Sequence, residues 1–311
     1  MEGTLVSGVG NGAAFVEAAR AALADVVGFR PYPGTLNLEG VESVEALPKR
    51  TLDDDLGDPH CEGVHLRPCA VGGVRSTVIR PLVPGYPPEK LELLAPVALR
   101  DLFGWTDGAA VSLSGPAEAW TPDGPTVAAG GLDAFAAVAF DLDGTLVDLA
   151  VDWTAVHDEI EARFGADLDK AVDAYSENEL FDLAVDRGFY DELLGLLEAH
   201  ELPGAAEGVG LAALEALDRL SVPVGVCTAN ASRAAERALD RFGVAGSVDA
   251  VVGRETVRPG KPEPAPLVET FDRLGVDPGN AVYVGDQPGD AEAAAAAGAS
   301  FLPVGRLEPD G

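Results

Sequence analysis

Residues 135–145 read Phe135-Ala136-Ala137-Val138-Ala139-Phe140-Asp141-Leu142-Asp143-Gly144-Thr145. An unbroken apolar run stops abruptly at two aspartates with one residue between them. The run is short and reads as a strand, and downstream such strands alternate with longer helical patterns, which argues a parallel α/β sheet. A strand of that kind delivers its C-terminal residues to the edge where open α/β sheets carry their chemistry. Aspartates at i and i+2, followed by Gly-Thr, can point two carboxylates at one phosphate, one to attack and one to move a proton. Three further elements follow in order. Val222 to Cys227 is a second apolar run and ends in Thr228-Ala229-Asn230. Gly260-Lys261-Pro262 precedes a helix-like stretch from Pro266 to Leu274. Ala281 to Val284 runs into Gly285-Asp286-Gln287-Pro288-Gly289-Asp290. Each element alone has a plainer role: a turn or Ca²⁺ loop for Asp141 to Gly144, a helix N-cap for Thr228, a solvated charge for Lys261. Asp290 reads as the N-cap of an Ala-rich helix over Ala291 to Ala297.

Taken together and in this order, the four elements resemble the haloacid-dehalogenase (HAD) superfamily over about Ala134 to Pro303. The resemblance implies a Rossmann-like α/β core with a helical cap. Asp141 would be the nucleophile, forming an aspartyl-phosphate that divides one displacement into two easier ones. Asp143 would protonate the leaving oxygen and then activate water; an Asp at this place favours phosphatase or mutase over ATPase. Thr228 and Lys261 would hold the phosphoryl oxygens, with Lys261 neutralising charge that builds up in transfer. Asp141, the backbone carbonyl of Asp143, and Asp286 would hold Mg²⁺, and Asp290 would support the metal or orient Lys261. Between the first two motifs, about 148–209, apolar spacing at Trp153, Val156, Ile160 and Phe164, then Leu193, Leu194 and Leu197, reads as helices, and the resemblance implies that they form the helical cap that closes over the site and selects the leaving group.

Upstream the texture changes. Short apolar runs are broken by Pro31, Pro33, Gly34, Gly72, Gly73, Pro81, Pro84 and Gly85, and only Ala13 to Val27 has a helical pattern. That is the pattern of a β-rich barrel or sandwich. Ser7-Gly8-Val9-Gly10-Asn11-Gly12 lies between a short strand and the helix, so backbone N–H groups at a helix N-terminus can approach phosphate. Neither GxGxxG nor GxxxxGK[ST] is matched. The segments Gly28 to Asn37, Leu91 to Arg100 and Asp107-Gly108 resemble the archaeal CTP-dependent riboflavin kinase, a cradle-loop barrel, over nearly all of Met1 to Ser114. The resemblance implies that Gly8, Val9, Gly10, Asn11, Gly12 and Ala13 cradle the CTP phosphates, and that Thr35 and Asn37 give oxygens to Mg²⁺. Glu92 would contact the flavin, and Val97, Ala98, Leu99 and Arg100 the nucleotide. No helix-turn-helix domain is expected ahead of the barrel. The Gly/Pro-rich stretch 116–131 reads as a linker between a barrel over 1–115 and the phosphatase half over 132–311.

The charge balance is extreme: 52 acidic against 21 basic residues, a formal −31, with only Lys49, Lys90, Lys170 and Lys261 as lysines. Scarce lysine with many Ala and Gly suggests a protein adapted to high salt, where counterions screen self-repulsion. Such a surface repels phosphate backbones, so nucleic acid is not expected as a partner. Three cysteines make no disulfide framework, and no apolar run is long enough to span a bilayer, so a cytoplasmic enzyme is expected. His60, Cys61, His65 and Cys69 form no CxxC or HxxxH pair, which argues against zinc. The leading expectation is a bifunctional flavin-pathway enzyme acting on riboflavin, CTP and a phosphomonoester. The alternatives are a phosphoglycolate-type phosphatase with an unrelated kinase barrel, or with a barrel that only senses flavin or nucleotide.

Overall fold

The computed structural model describes residues 1–8, 11–41, 44–52, 61–86, 90–115 and 122–308, with the backbone alone for Asn11. Val9, Gly10 and His60 therefore lie outside the described residues. Strand β1 (Glu2–Val6) leads through Gly8 into helix α1 (Asn11–Val27). Strands β2 (Leu36–Glu39), β3 (Arg50–Leu52), β4 (Val64–Val71), β5 (Val74–Pro81) and β6 (Leu91–Leu94), the short helix α2 (Leu99–Leu102) and β7 (Ala110–Ser114) follow. The sheet order is β3-β4-β5-β6-β2-β1-β7, and β7 returns to pair with β4 at Ala70 and Val71. Strands β4, β5, β6, β2, β1 and β7 thus close a ring, which leaves no free edge among them. Every pairing in it is antiparallel. Helix α1 buries Val16, Ala19, Leu23 and Val27, one stripe at three- and four-residue spacing, against Leu52, Val64, Leu66, Ile79 and Leu94. It begins at Asn11, two residues earlier than the apolar pattern suggests.

The second half runs β8 (Val127–Ala128), β9 (Ala137–Phe140), β10 (Val147–Asp148), α3 (Trp153–Phe164), α4 (Glu177–Arg187), α5 (Tyr190–Glu207), β11 (Val209–Gly210) and α6 (Leu214–Leu217). It continues with β12 (Val224–Cys227), α7 (Ser232–Phe242), β13 (Ala250–Val252), α8 (Ala265–Leu274), β14 (Ala281–Gly285), α9 (Pro288–Ala297), β15 (Ser300–Pro303) and β16 (Leu307–Glu308). Five strands form a parallel sheet in the order β13-β12-β9-β14-β15, with β9 at its centre. Both faces are covered, which is why the strands read as unbroken apolar runs. Ala137, Ala139, Cys227 and Tyr283 face Leu267, Phe271 and Ala294. Val138, Phe140, Val226 and Val284 belong to the cluster that holds Leu217, Ala234, Ala238 and Leu239. The cap helices α3, α4 and α5 are inserted between β10 and β11, which pair antiparallel and form its neck. Their apolar faces make a core of their own around Val156, Ile160, Phe164, Phe181 and Leu193.

The segment expected to be a linker is built into the fold where it is described. Val127 and Ala129 are buried, and β8 pairs in parallel with β16. Arg306 donates to the carbonyls of Pro125 and Gly72 and so ties this segment to the β4–β5 turn. In that turn Gly72 and Gly73 both have positive φ, +56° and +81°, as a two-residue hairpin requires. A Cβ on Gly73 would stand 2.1 Å from the Phe301 carbonyl oxygen, so no larger residue lets the barrel seat on β15. Arg75 extends the contact with its guanidinium on the Gly298 and Val27 carbonyls. One further expectation is corrected. Helix α9 starts at Pro288, so Gln287 is its N-cap and Asp290 its third residue. Proline is favoured at the first helical position, which moves the start forward. Among the described residues no helix is long and apolar enough to cross a membrane.

Candidate active sites

Asp141 follows β9 at the C-terminal edge of the sheet, 6% exposed. The Lys261 ammonium lies between two carboxylates, 2.7 Å from Asp141 Oδ1 and 2.7 Å from Asp290 Oδ1, and also donates to the Tyr283 hydroxyl at 2.8 Å. Tyr283 donates in turn to the Cys227 carbonyl. Burial works against charge on Lys261, but Asp141 and Asp290 outweigh it and hold its pKa above the ordinary value. Burial pushes the Asp141 carboxyl well above the ordinary carboxylate range, and Asp290 adds to this while Lys261 opposes it. Two glycines make the close approach possible. Gly144 has φ +84°, and a Cβ there would lie 2.4 Å from Asp286 Oδ2; a Cβ on Gly285 would lie 2.5 Å from Asp290 Oδ2.

Oxygens of Asp141, Asp286 and Asp290 all lie within 4.8 Å of one another, an all-carboxylate set suited to a hard divalent cation such as Mg²⁺. One ammonium faces three carboxylates there, so a cation fits the charge as well as the donor chemistry. Asp286 is steadied by Thr145 Oγ1 (3.2 Å) and Gln287 Nε2 (2.7 Å). Asp290 uses one oxygen on Lys261 and the other on the Gln287 backbone N–H. Both its oxygens are thus engaged, one of them on the ammonium that Asp141 also holds. Asp143 accepts from the Leu149 N–H at 2.8 Å, and burial raises its carboxyl's pKa, the direction that suits a group carrying a proton. Thr228 donates to Asn230 Oδ1 and accepts from the Asn230 N–H, which fixes its hydroxyl at the end of β12.

Above these groups a cavity of about 510 Å³ opens into the cap. Its cap walls include Trp153, Val156, Ile160, Tyr175, Leu180 and Phe181, with His157 among them. Arg254 also lines it, but Glu177 (3.0 Å) and Glu201 (2.7 Å) already take its guanidinium. Glu201 is fully buried and also accepts from Asn230 Nδ2 and the Ala231 N–H. Tyr283, Glu201, Arg254 and Asn178 were not evident from sequence. Tyr283 reads there as filler in a buried strand, and the other three find their partners only through the tertiary fold. Cys227 is buried with its thiol pushed up to about 12 by desolvation, which agrees with a core role.

The barrel carries a second cavity, of about 750 Å³. Gly8, Gly12, Ala13, Thr35, Asn37, Glu92 and Arg100 line it together. The loop at Gly8 and the first turn of α1 lie close to Asn37 of β2 and to Thr35 just before it: a Cβ on Gly8 would lie 2.5 Å from Asn37 Nδ2, and one on Gly12 2.5 Å from Thr35 Oγ1. Thr35 donates to Glu92 Oε2 at 2.8 Å, and the Asn37 amide nitrogen donates to the Thr35 carbonyl, which leaves Asn37 Oδ1 as an acceptor for a cation. The other Glu92 oxygen accepts from the Tyr86 hydroxyl and pairs with Lys90, both at 2.7 Å. Burial pushes Glu92 up, but Lys90, Tyr86 and Thr35 together outweigh it and hold its carboxyl below the usual range. Tyr86 and Lys90 carry no local sequence signal, because no apolar periodicity surrounds them. Val97, Ala98, Leu99 and Arg100 line an adjoining cavity of about 210 Å³ that shares Gly34, Thr35 and Leu36 with the larger one. Arg100 is held by Asp107 at 2.7 Å, and Ser7 donates to the same carboxylate. Cys61 and Cys69 are buried free thiols, and no zinc cluster forms among the described residues.

Residues 135–298 match the haloacid dehalogenase-like hydrolases, and residues 5–114 match the CTP-dependent riboflavin kinase domain, described as Domain of unknown function DUF120. The phosphoglycolate phosphatase of Rhodospirillum rubrum is 35% identical over 188 residues, 52% of this chain and 76% of that protein. The riboflavin kinase of Aeropyrum pernix is 34% identical over 116 residues, 34% of this chain and 88% of that protein. The Archaeoglobus fulgidus riboflavin kinase is 35% identical over 119 residues, and the chain spans 51% of its length. A solved HAD-superfamily hydrolase from Geobacter sulfurreducens shares 27% identity, covering 55% of this chain and 89% of that one at a TM-score of 0.40.

Proposed function

Because the chain belongs to the haloacid dehalogenase-like hydrolases in its second half and to the CTP-dependent riboflavin kinases in its first, we propose that it is a bifunctional enzyme of flavin synthesis. The barrel transfers the terminal phosphoryl group of CTP to riboflavin, giving FMN and CDP. The second half hydrolyses a phosphomonoester. One Asp141 oxygen attacks phosphorus while the P–O ester bond breaks, and Asp143 gives its proton to the departing oxygen. Asp143 then takes a proton from the water that cleaves the aspartyl-phosphate. Lys261 and Thr228 hold the phosphoryl oxygens. Asp141, the Asp143 carbonyl and Asp286 would hold Mg²⁺, with Asp290 behind Lys261; the ion supplies charge neutralisation. In the barrel, Thr35 and Asn37 would hold the ion that accompanies CTP, Gly8 to Ala13 its phosphates, and Glu92 the flavin.

The observation that carries the phosphatase reading is Lys261 held between Asp141 and Asp290 beneath the cap. The cap bears on the substrate. Its cavity is mostly apolar, and its two strong cations are already paired: Arg254 with Glu177 and Glu201, Lys261 with Asp141 and Asp290. A leaving group that is uncharged and large suits it better than a small acid. We therefore assign 5-amino-6-(5-phosphoribitylamino)uracil as the substrate, a primary alkyl phosphate whose removal serves the same product as the kinase. FMN is excluded on pathway grounds, since its hydrolysis would consume CTP in a cycle. The second reading, a phosphoglycolate-type enzyme, is favoured by the likeness to the Rhodospirillum rubrum phosphatase. The test is kcat/KM for the ribitylaminouracil phosphate beside FMN, phosphoglycolate and sugar phosphates. A clear preference for phosphoglycolate, or rapid FMN hydrolysis, overturns the assignment. The −31 charge is assigned to a high-salt, cytoplasmic setting.

A further inference from the structure

Lys261 sits on a core loop, yet the backbone beside it is held by the cap. Asn178, in the first turn of α4, accepts from the Gly260 N–H at 2.9 Å and donates to the Gly260 carbonyl at 3.0 Å. The same amide reaches the Lys261 carbonyl at 3.4 Å. One side chain thus takes both polar groups of the residue before the ammonium. Its neighbours brace the same seam. Glu177 binds Arg254 at 3.0 Å and Asp182 binds Arg258 at 2.7 Å, so α4 grips the loop at its start, middle and end. Arg254 also joins Glu177 to the fully buried Glu201, which holds Asn230 beside Thr228.

We propose that Asn178 is a positioning residue for Lys261: the cap, through this amide, sets where the ammonium stands against the phosphoryl group. The inference rests on the reading of Lys261 as the phosphate-side cation. It makes turnover depend on the seating of α4, and so on what fills the cap, without any cap residue touching phosphate. A misplacement of about 1 Å in a group that holds the reacting centre can cost up to about 10²-fold in rate.

The test uses the full chain with Mg²⁺, p-nitrophenyl phosphate hydrolysis and orthovanadate binding. Asn178→Ala should lower kcat roughly 10- to 30-fold with KM changed less than about 3-fold. It should weaken orthovanadate about tenfold in the wild-type background and have no effect in a Lys261→Ala background, because its action runs through that ammonium. Glu179→Ala is the structural control. It removes the carboxylate that accepts from the Ser176 N–H at the start of α4, and leaves Gly260 untouched. It should leave kcat within about twofold of wild type. If Asn178→Ala keeps wild-type kcat, or weakens orthovanadate equally with and without Lys261, or if Glu179→Ala reproduces its loss, the proposal fails. Full activity in Lys261→Ala alone would instead remove the premise that Lys261 serves the phosphate, and the proposal with it.

Discussion

Gly144→Ala tests the metal-side geometry with one methyl group. Gly144 has φ +84°, where an L side chain costs about 1–2 kcal/mol. The new Cβ would also meet Asp286 at 2.4 Å from Oδ2, 2.8 Å from Cγ and 3.1 Å from Oδ1. Ordinary contact needs a retreat of roughly 1 Å by that carboxylate. Asp286 has little room to swing, because Thr145 and Gln287 hold its two oxygens. The strain should lower the melting midpoint of the phosphatase half by about 3–6 °C. If Asp286 holds Mg²⁺ as proposed, displacing its carboxylate should raise the Mg²⁺ needed for half-maximal phosphatase activity by roughly 10- to 100-fold, because groups around the reacting centre tolerate little misplacement. Mg²⁺ titrations of p-nitrophenyl phosphate hydrolysis read this out, with CTP-dependent FMN formation in the same sample as the control for the barrel. Gly246→Ala, where φ is ordinary and nothing lies within 4 Å of the added carbon, should behave as wild type. A Gly144→Ala protein with wild-type Mg²⁺ dependence and rate would show that the Asp286 carboxylate is not a metal ligand.

Asp143→Asn should slow hydrolysis of alkyl phosphates far more than that of p-nitrophenyl phosphate, whose leaving group needs little protonation; equal losses on both would refute its role as the acid. Thr35→Ala combined with Asn37→Ala should abolish FMN formation and spare phosphate release, and CTP should serve the wild-type barrel where ATP serves poorly. Equal use of the two nucleotides would sink the donor assignment. The unfolding midpoint should rise between low and molar KCl, as screening relieves 31 net negative charges; a flat midpoint would refute salt adaptation.

The parts of this fold that were legible are those with a strong local signal. β9 announces itself because a central parallel strand is buried on both faces and cannot alternate. Asp141, Asp143, Asp286 and Lys261 follow from motifs that end strands or fill loops. The barrel's α1 stripe at Val16, Ala19, Leu23 and Val27 is equally plain. What the sequence hid depends on chain segments far apart. Glu201 lies on a helix where a glutamate reads as solvated, yet it is buried because Arg254, Asn230 and the Ala231 N–H satisfy it. Asn178 looks like an ordinary first-turn residue until Gly260 is folded against it. Tyr86 and Lys90 lie in a stretch without periodicity, and only the closed barrel brings them to Glu92. The segment 122–131 looks like a linker because its small residues show no pattern, while its order comes from β16 and Arg306 at the other end of the chain.

In the proposed function one chain holds two independent active sites, and Asp141 attacks phosphorus in the second. The most direct measurement is paired assays on one preparation of the full chain and of Asp141→Asn. An amide retains the shape and can still accept from Lys261, so the fold should persist. It cannot attack phosphorus, and the barrier should rise by several kcal/mol, roughly 10³-fold or more in rate. Phosphate release should collapse while CTP-dependent FMN formation continues at the wild-type rate. Wild-type phosphate release from the variant would contradict the nucleophile assignment, and loss of both activities together would contradict the independence of the two sites.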